Sequence, residues 1–442
     1  MCVNFGTNAI KSYLCRIMEK SIDRTEKTST RYLVTDDGIK ILHRATRSNI
    51  AHLAFIFNVG SRDELPYEHG MAHFIEHCLF KGTSTRRSSQ VLSRLENVGG
   101  EMNAFTTKEN ICLHASFMPE YLDRAVELFA SITFDSVYPA AELEKEKGVI
   151  TDEINSYLEA PDELIFEQGE ELLYPTSPLG RTILGTPESI SRFTREDVLA
   201  FWDRNFSRED MIICVSGDFN TDKVCEVIKK RLAPYMDYIC KSREQRQRVC
   251  PPLTPAIKKE QVMDTYQRHV ILLSRAYPYE DSLDYRTMVL LNNMLGGPSM
   301  TSMLNMSLRE RHALVYNVES FYTAYSDVGT AGIYIATEED SYKKALTLTY
   351  KILDKLSSSP ISERTLATAR HQLLGQMAIA SENEINQLIS LGKIYMGRGR
   401  CDSYEEMRQK IESITPYDIM RVANDVYNPD NITMLTFKSD KK

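Results

Sequence analysis

The stretch Phe193–Val215, FTREDVLAFWDRNFSREDMIICV, and the stretch Ile414–Leu435, ITPYDIMRVANDVYNPDNITML, read as the same unit written twice. In the first, Thr194 caps a helix that carries Glu196 and Asp197 in its first turn and runs through Phe206, and an apolar strand follows. Thr194 and Thr415, Asp197 and Asp418, and Tyr121 and Tyr342 are each 221 residues apart, half of the 442-residue chain. A constant offset across distant pairs needs a common layout, so the chain reads as an internal duplication.

The segments around these anchors fit two copies of one α/β design. RYLVTDDGIKILHRA, Arg31–Ala45, holds two short β-like runs around Asp36-Asp37-Gly38, a hairpin signal. HLAFIFNVGSRDE is a strand ending at Gly60, and SSQVLSRLENVGG is a helix expected to start at Ser88-Ser89 and stop at Gly99-Gly100. EMNAFTTKENICLHASF reads as two strands, and PEYLDRAVELFASITF as an amphipathic helix. AAELEKEKGVITDEINSYLEAPDELIFEQGEELLY reads as helical, acidic and partly apolar, followed by the Pro/Gly-rich loop PTSPLGRTILG. From about Tyr235 to Glu260 the chain turns charged and then proline-rich, as a linker does. Beyond it HVILLSRAYPYE (strand), SLDYRTMVLLNNMLGG (helix), VESFYTAYSDVGTAGIYIAT (strand pair) and EEDSYKKALTLTYKILDKL (helix) repeat the pattern. The expected division is an extension at residues 1–30, a first domain at 31–234, a linker at 235–260 and a duplicated second domain at 261–442.

The chemistry concentrates in GMAHFIEHCLFKGT, Gly70–Thr83. On a helix, His73 and His77 lie about 40° apart around the axis, with Glu76 between them on the same side. Two imidazoles on one face can share a small divalent cation, and a carboxylate beside them can take a proton from the water that such a cation activates. Met71, Phe74, Ile75, Leu79 and Phe80 form the apolar stripe, and Gly82 is the expected stop. Only nine histidines occur in the chain, so the cluster outweighs the ordinary reading of a histidine as a packed core residue. Cys78 points about 100° round the helix and is read as packing, and His69 as a loop histidine. The second half lacks this motif and carries YRTMVLLNNMLGG in its place, so one half would hold chemistry and the other a supporting surface.

A catalytic zinc site wants a third protein ligand and an open position. GVITDEINSY offers Glu153, and Glu146 lies seven residues earlier, two turns back on the same face. Composition alone does not choose among Glu142, Glu144, Glu146, Asp152 and Glu153.

Charge and composition narrow the class. A net charge of −8 and a pI near 5.7 leave no footprint for nucleic acid and would suit a cavity that attracts basic peptides. No apolar run is long enough for a membrane span, and the first thirty residues lack the apolar region and cleavage site of a secretory signal. Nine scattered cysteines without a C-x-x-C pair suit a reducing, cytoplasmic compartment.

The stretches GSRDELPYEHGMAHFIEHCLFKGT, GGEMNAFTTKE, ELEKEKGVITDEI and LRERHALVYNVESF span both halves and resemble the inverzincin peptidases, the pitrilysin and insulinase (M16) family. The likeness is strongest to the short branch that contains the mitochondrial processing peptidase β subunit and its bacterial relatives. It implies two duplicated α/β (α+β) domains, each a mostly antiparallel sheet with helices packed on it, enclosing a chamber on dimerisation. It also implies one Zn²⁺ per chain held by His73, His77 and Glu153, with Glu76 as general base and Glu146 supporting. Arg309 and Tyr316 match a pair that reaches the zinc site from the far wall of the chamber and holds the substrate backbone and the reacting carbonyl. Asn103, Ala104 and Phe105 match a substrate-binding edge strand, along which an extended peptide could pair. LGGPSMTSML lacks the long glycine run of the processing peptidase α subunit.

The function implied is zinc-dependent endopeptidase action on peptides or unfolded segments. A homodimer is the expected assembly, with a heterodimer as the alternative, and Arg309 and Tyr316 would serve the partner's zinc. The competing class is a non-catalytic or partner-dependent subunit of a processing-peptidase-like complex.

Overall fold

A computed structural model describes residues 29–241 and 247–439. Residues 1–28 of the expected extension and part of the charged linker therefore fall outside the described residues, while Ser29 and Thr30 open the first strand. The first half runs β1 (Ser29–Val34), β2 (Lys40–Ala45), β3 (Ala51–Phe57), α1 (Met71–Cys78), α2 (Ser88–Glu96), β4 (Glu101–Thr106), β5 (Ile111–Phe117), α3 (Leu122–Phe134), α4 (Ala140–Leu158), α5 (Pro161–Leu173), α6 (Pro187–Arg192), α7 (Arg195–Asn205), β6 (Met211–Gly217), α8 (Thr221–Leu232) and α9 (Met236–Ile239). The second half runs β7 (Lys258–Met263), β8 (Arg268–Ala276), α10 (Leu283–Gly296), a π-helical stretch at Asn305–Arg311, β9 (Val315–Ala324), β10 (Gly329–Thr337), α11 (Glu339–Ser358), α12 (Glu363–Ala380), α13 (Glu384–Arg398), α14 (Tyr404–Glu412), α15 (Pro416–Val426) and β11 (Thr433–Ser439).

The sheets have the orders β1-β2-β6-β3-β5-β4 and β7-β11-β8-β10-β9. Without the added hairpin strand β1, the two orders superpose strand for strand, including one parallel pair in each, β2 with β6 and β7 with β11. The other pairings are antiparallel. The duplication is thus present in the topology. Its two anchor helices, α7 and α15, open identically: Thr194 and Thr415 accept from the amides of Asp197 and Asp418, whose carboxylates accept from the threonine amides in return.

The described residues divide into two compact units, 29–151, 183–241 and 380–403, and 152–182, 247–379 and 404–439. The units interleave along the sequence. In the first, α13 packs on β6, β3 and β2, closing a cluster of Leu42, Ala54, Ile56, Cys112, Ile212, Cys214, Leu388 and Ile389. In the second, α5 packs on β8 and β11, with Leu164, Ile165 and Leu173 against Ile271, Leu273 and Leu435. Each sheet therefore takes one covering helix from the opposite half of the sequence. The other face of the second sheet is covered by α10, α11 and α15, whose apolar stripes meet Val270, Leu272, Ile333 and Ile335.

Two local expectations are corrected. Helix α1 ends at Cys78 rather than at Gly82: the Leu79 amide already closes onto Ile75 and Glu76, and Gly82 forms a short bridge to Arg87 beyond the turn. Ser88 is the first residue of α2 and not its cap; its hydroxyl donates to the Phe80 carbonyl, and Gln90 satisfies the Arg87 amide instead. The acidic stretch is helical as expected, divided into α4 and α5 because Pro161 has no amide to continue the ladder and begins α5 anew.

Candidate metal centre

Helix α1 is built to be held rigidly. Gly70 precedes it with φ +93°, and a side chain there would meet the Gly185 Cα and the Leu184 carbonyl at 2.8 Å, so only glycine fits the approach. The first turn of a helix leaves amides without intrahelical partners. Here the buried carboxylate of Glu64 takes them, accepting from Gly70 and Ala72 at 2.9 Å each. Glu64 was not among the residues singled out from the sequence. A glutamate seven residues ahead of a helix gives no local capping signal.

The apolar side of α1 is buried through Met71, Ala72, Phe74, Ile75 and Cys78. The opposite side presents the two imidazoles, with ring centroids 4.6 Å apart and planes inclined at 71°. Burial, and secondly the neighbouring His77, lower the His73 pKa to about 4, so this ring is neutral at pH 7 and offers the lone pair that a metal needs.

Helix α4 supplies the acids. It runs unbroken past residues 151–152, where the two compact units divide, so one helix carries Glu146 and Glu153 two turns apart. One ligand atom from each of His73, His77 and Glu153 lies within 4.8 Å of the others, the group of potential metal-binding side chains found among the described residues. A tetrahedral ion with bonds of about 2.1 Å holds its ligands roughly 3.4 Å apart, a spacing near that of this set. Two nitrogens and one carboxylate oxygen are also the donor chemistry of a catalytic zinc site.

Glu146 stands behind this group. It is 6% exposed, one oxygen lies 3.2 Å from His77 Nδ1, and the other is 2.7 Å from Lys81 Nζ. That contact fixes the imidazole and leaves His77 Nε2 for a metal. Lys81 is a further residue that pattern reading did not reach; it follows the end of α1 and meets Glu146 only through tertiary packing.

The other sequence candidates fall as follows. Glu76 is half-buried on α1, between the imidazoles in sequence, and its charge reaches Cys112 on β5. Cys78 is buried, and its thiol pKa is pushed up, as packing requires. His69 ends a 3₁₀ turn outside the ligand group. Asn103, Ala104 and Phe105 lie on β4, the edge strand of the first sheet, and the Ala104 amide donates to Asn103 Oδ1 at 2.8 Å. Arg309 and Tyr316 belong to the second unit and are not part of the ligand group. Arg309 is exposed and lines a cavity of about 540 Å³ with Asn292, Asn293, Asn305, Asn317 and Glu319. The exposed Tyr316 hydroxyl donates to Glu338, which raises its pKa.

Comparison with known proteins agrees with both halves of this picture. Residues 40–187 match the family described as insulinase, peptidase family M16. Residues 192–373 match the peptidase M16 inactive domain. The chain is similar to an uncharacterized zinc protease of Rickettsia felis, 30% identical over 378 residues that make up 84% of this chain and 89% of that protein. It is also similar to the uncharacterized zinc protease YmxG of Bacillus subtilis, 27% identical over 371 residues, with 84% and 89% covered. Among solved structures, a peptidase M16 inactive domain from Pseudomonas fluorescens has a TM-score of 0.84 at 19% identity, covering 93% of this chain and 98% of that one. A protease from Helicobacter pylori has a TM-score of 0.82 at 20% identity, covering 93% and 100%. At such identities the structural likeness speaks for the fold.

Proposed function

Because this chain belongs to the insulinase family of peptidases, family M16, we propose that it is a zinc-dependent endopeptidase acting on peptides or unfolded segments, with one Zn²⁺ per chain. The observation that carries this reading is the convergence of His73, His77 and Glu153 to within 4.8 Å, backed by the buried Glu146 on His77. When bound, zinc polarises a carbonyl and makes water a nucleophile near neutral pH. Glu76 takes the proton of the attacking water and passes it to the leaving amine. Glu146 keeps the His77 ring in its tautomer and orientation. The substrate lies extended along β4, pairing with Asn103, Ala104 and Phe105.

Two chains form a homodimer that closes a chamber, and Arg309 and Tyr316 of one chain hold the reacting carbonyl at the zinc site of the other. Their exposure supports this role, since both side chains are open to another subunit. No disulfide joins the seven described cysteines, which supports a reducing, cytoplasmic setting, and no described helix is long and apolar enough to cross a membrane.

Glu76→Gln tests the mechanism, because glutamine is near-isosteric but does not accept the proton. Zinc content should hold at the wild-type level while cleavage of a peptide panel disappears. Full cleavage by this variant sinks the assignment of Glu76; wild-type chain that binds no zinc sinks the metal centre.

A further inference from the structure

Helix α13 delivers a lysine to the open side of the edge strand. Lys393 Nζ stands 5.1 Å from the centroid of the Phe105 ring, and among the described residues no carboxylate pairs with it. Its side chain is half-buried. An ammonium in that position has given up part of its hydration for an aromatic face alone, a weak substitute for a counter-charge. Burial accordingly pulls its pKa down, with the nearby Cys112 partly opposing.

The register says what faces this cation. β4 pairs with β5 so that Phe105 lies opposite Cys112 and Asn103 opposite His114. Directly opposed residues share a face of the sheet, so these four side chains stand on one side. α13 covers that side over β6, β3 and β2. Over the outer pair the cover thins: Phe105 and His114 are half-exposed and Asn103 is exposed. A peptide strand added to the free edge of β4 would run about 4.8 Å away, and its residue opposite Phe105 would project onto this same side. That side chain would lie against the Phe105 ring, within reach of Lys393 Nζ. The Cys112 thiol feels both Lys393 and Glu76, which places the lysine and the proposed base around one position of the strand pair.

We propose that Lys393 and Phe105 form a subsite that selects a substrate carboxylate, supplied by an aspartate or glutamate side chain opposite Phe105 or by the free C-terminus of a peptide ending there. The proposal rests on reading β4 as the substrate strand. The carboxylate completes the missing counter-charge, and the ring supports the aliphatic part of the same side chain.

The test uses the full chain carrying Glu76→Gln, which binds peptides without cutting them, and fluorescein-labelled peptides of about ten residues read by anisotropy. Each peptide carries Glu, Gln or Lys at one position and ends in a carboxylate or an amide. One Glu peptide should bind about 10-fold tighter than its Gln counterpart, the scale of one charge-assisted bond. Adding Lys393→Met should bring the pair within about 2-fold while binding of the Gln peptide persists, Lys393→Arg should keep the preference, and Lys393→Glu should shift it to the Lys peptide. If only amidation of the C-terminus matters, the carboxylate is the peptide's end and not a side chain. Equal binding of Glu, Gln and amidated forms at all positions overturns the subsite, as does a preference that survives Lys393→Met. If wild-type chain cleaves peptides without any acidic preference, the subsite fails and the peptidase reading stands; if it neither binds nor cleaves them, both fail.

Discussion

Gly392, the residue before Lys393, offers a test of how α13 is seated. A Cβ built there would lie 2.5 Å from Cys214 Sγ and 2.6 Å from Ile56 Cδ1, both fully buried on the adjacent strands β6 and β3. Normal contact is about 3.5–4.0 Å, so Gly392→Ala must move the helix, or those side chains, by roughly 1 Å. Two effects compete. Alanine is favoured over glycine inside a helix by about 1 kcal/mol. Overpacking a buried contact costs about 1–3 kcal/mol. Cys214 has a single side-chain torsion and is fully buried, so the packing cost wins, and a net loss of about 1–2 kcal/mol is expected. Trp202, the chain's one tryptophan, is buried against Phe57 and Phe206 in the same unit and reports its unfolding by fluorescence in urea. Gly392→Ala should lower the midpoint of that transition. Cys214→Ala should make the second substitution less costly by about 1 kcal/mol, a coupling that a double-mutant cycle isolates. Gly169 on α5 is the counterpart in the other half. Its nearest obstacle at 2.6 Å is the mobile end of Leu273, so Gly169→Ala should cost less. A Gly392→Ala chain that gains about 1 kcal/mol, as propensity alone dictates, with no coupling to Cys214, would refute this account of the helix–sheet contact.

Glu146→Gln should weaken zinc binding about 10–100-fold in chelator competition, because His77 loses a charged acceptor; an unchanged affinity would remove Glu146 from the site. His43 is fully buried on β2 beside Thr221 Oγ1, and burial, then Arg31, lower its pKa to about 4. Its neutral form is the folded one, so its contribution is complete above pH 6.5 and drains as the pH falls from 6.5 toward 4, by about 3 kcal/mol in all. In metal-free chain, His43→Gln should flatten the dependence of stability on pH across that window; parallel curves for the two proteins would show that His43 is not the group responsible. Mixing Glu76→Gln chains with Tyr316→Phe chains, each inactive as a homodimer, should restore activity if the sites are shared across subunits. No recovery in verified mixed dimers would assign Tyr316 to its own chain or to none.

What was legible in the chain was whatever is written locally. Thr194 and Thr415 cap their helices as their spacing to Asp197 and Asp418 implies, and strands such as β3, β6, β8 and β10 fall where apolar runs predict them; β7, Lys258–Met263, does not, because this polar, largely exposed edge strand begins inside the expected linker and is held by its pairing with β11. The imidazole pair is visible because four residues of helix decide its geometry. Glu153 is different: five acids on α4 have equal local claims, and only the packing of α4 against α1, or resemblance to relatives, separates the one that meets the histidines from the others. Glu64 and Lys81 also act through tertiary contact, as cap and counter-ion, and neither has a sequence signature at the distance involved.

The same distinction governs the field in the site. A net charge of −8 favours basic peptides only if charge is spread evenly, and a sum carries no positions. The structure sets a lysine over Phe105 on the strand edge proposed for substrate, delivered by a helix from the opposite half of the sequence. Gly392 and Lys393 are adjacent for a physical reason: the residue without a side chain lets the helix descend onto Cys214 and Ile56, and that descent brings the next residue's ammonium down to the ring. Gly392→Ala should therefore erode the acidic preference as well as stability, whereas a distant destabilising change such as Gly169→Ala should lower stability and leave the preference intact.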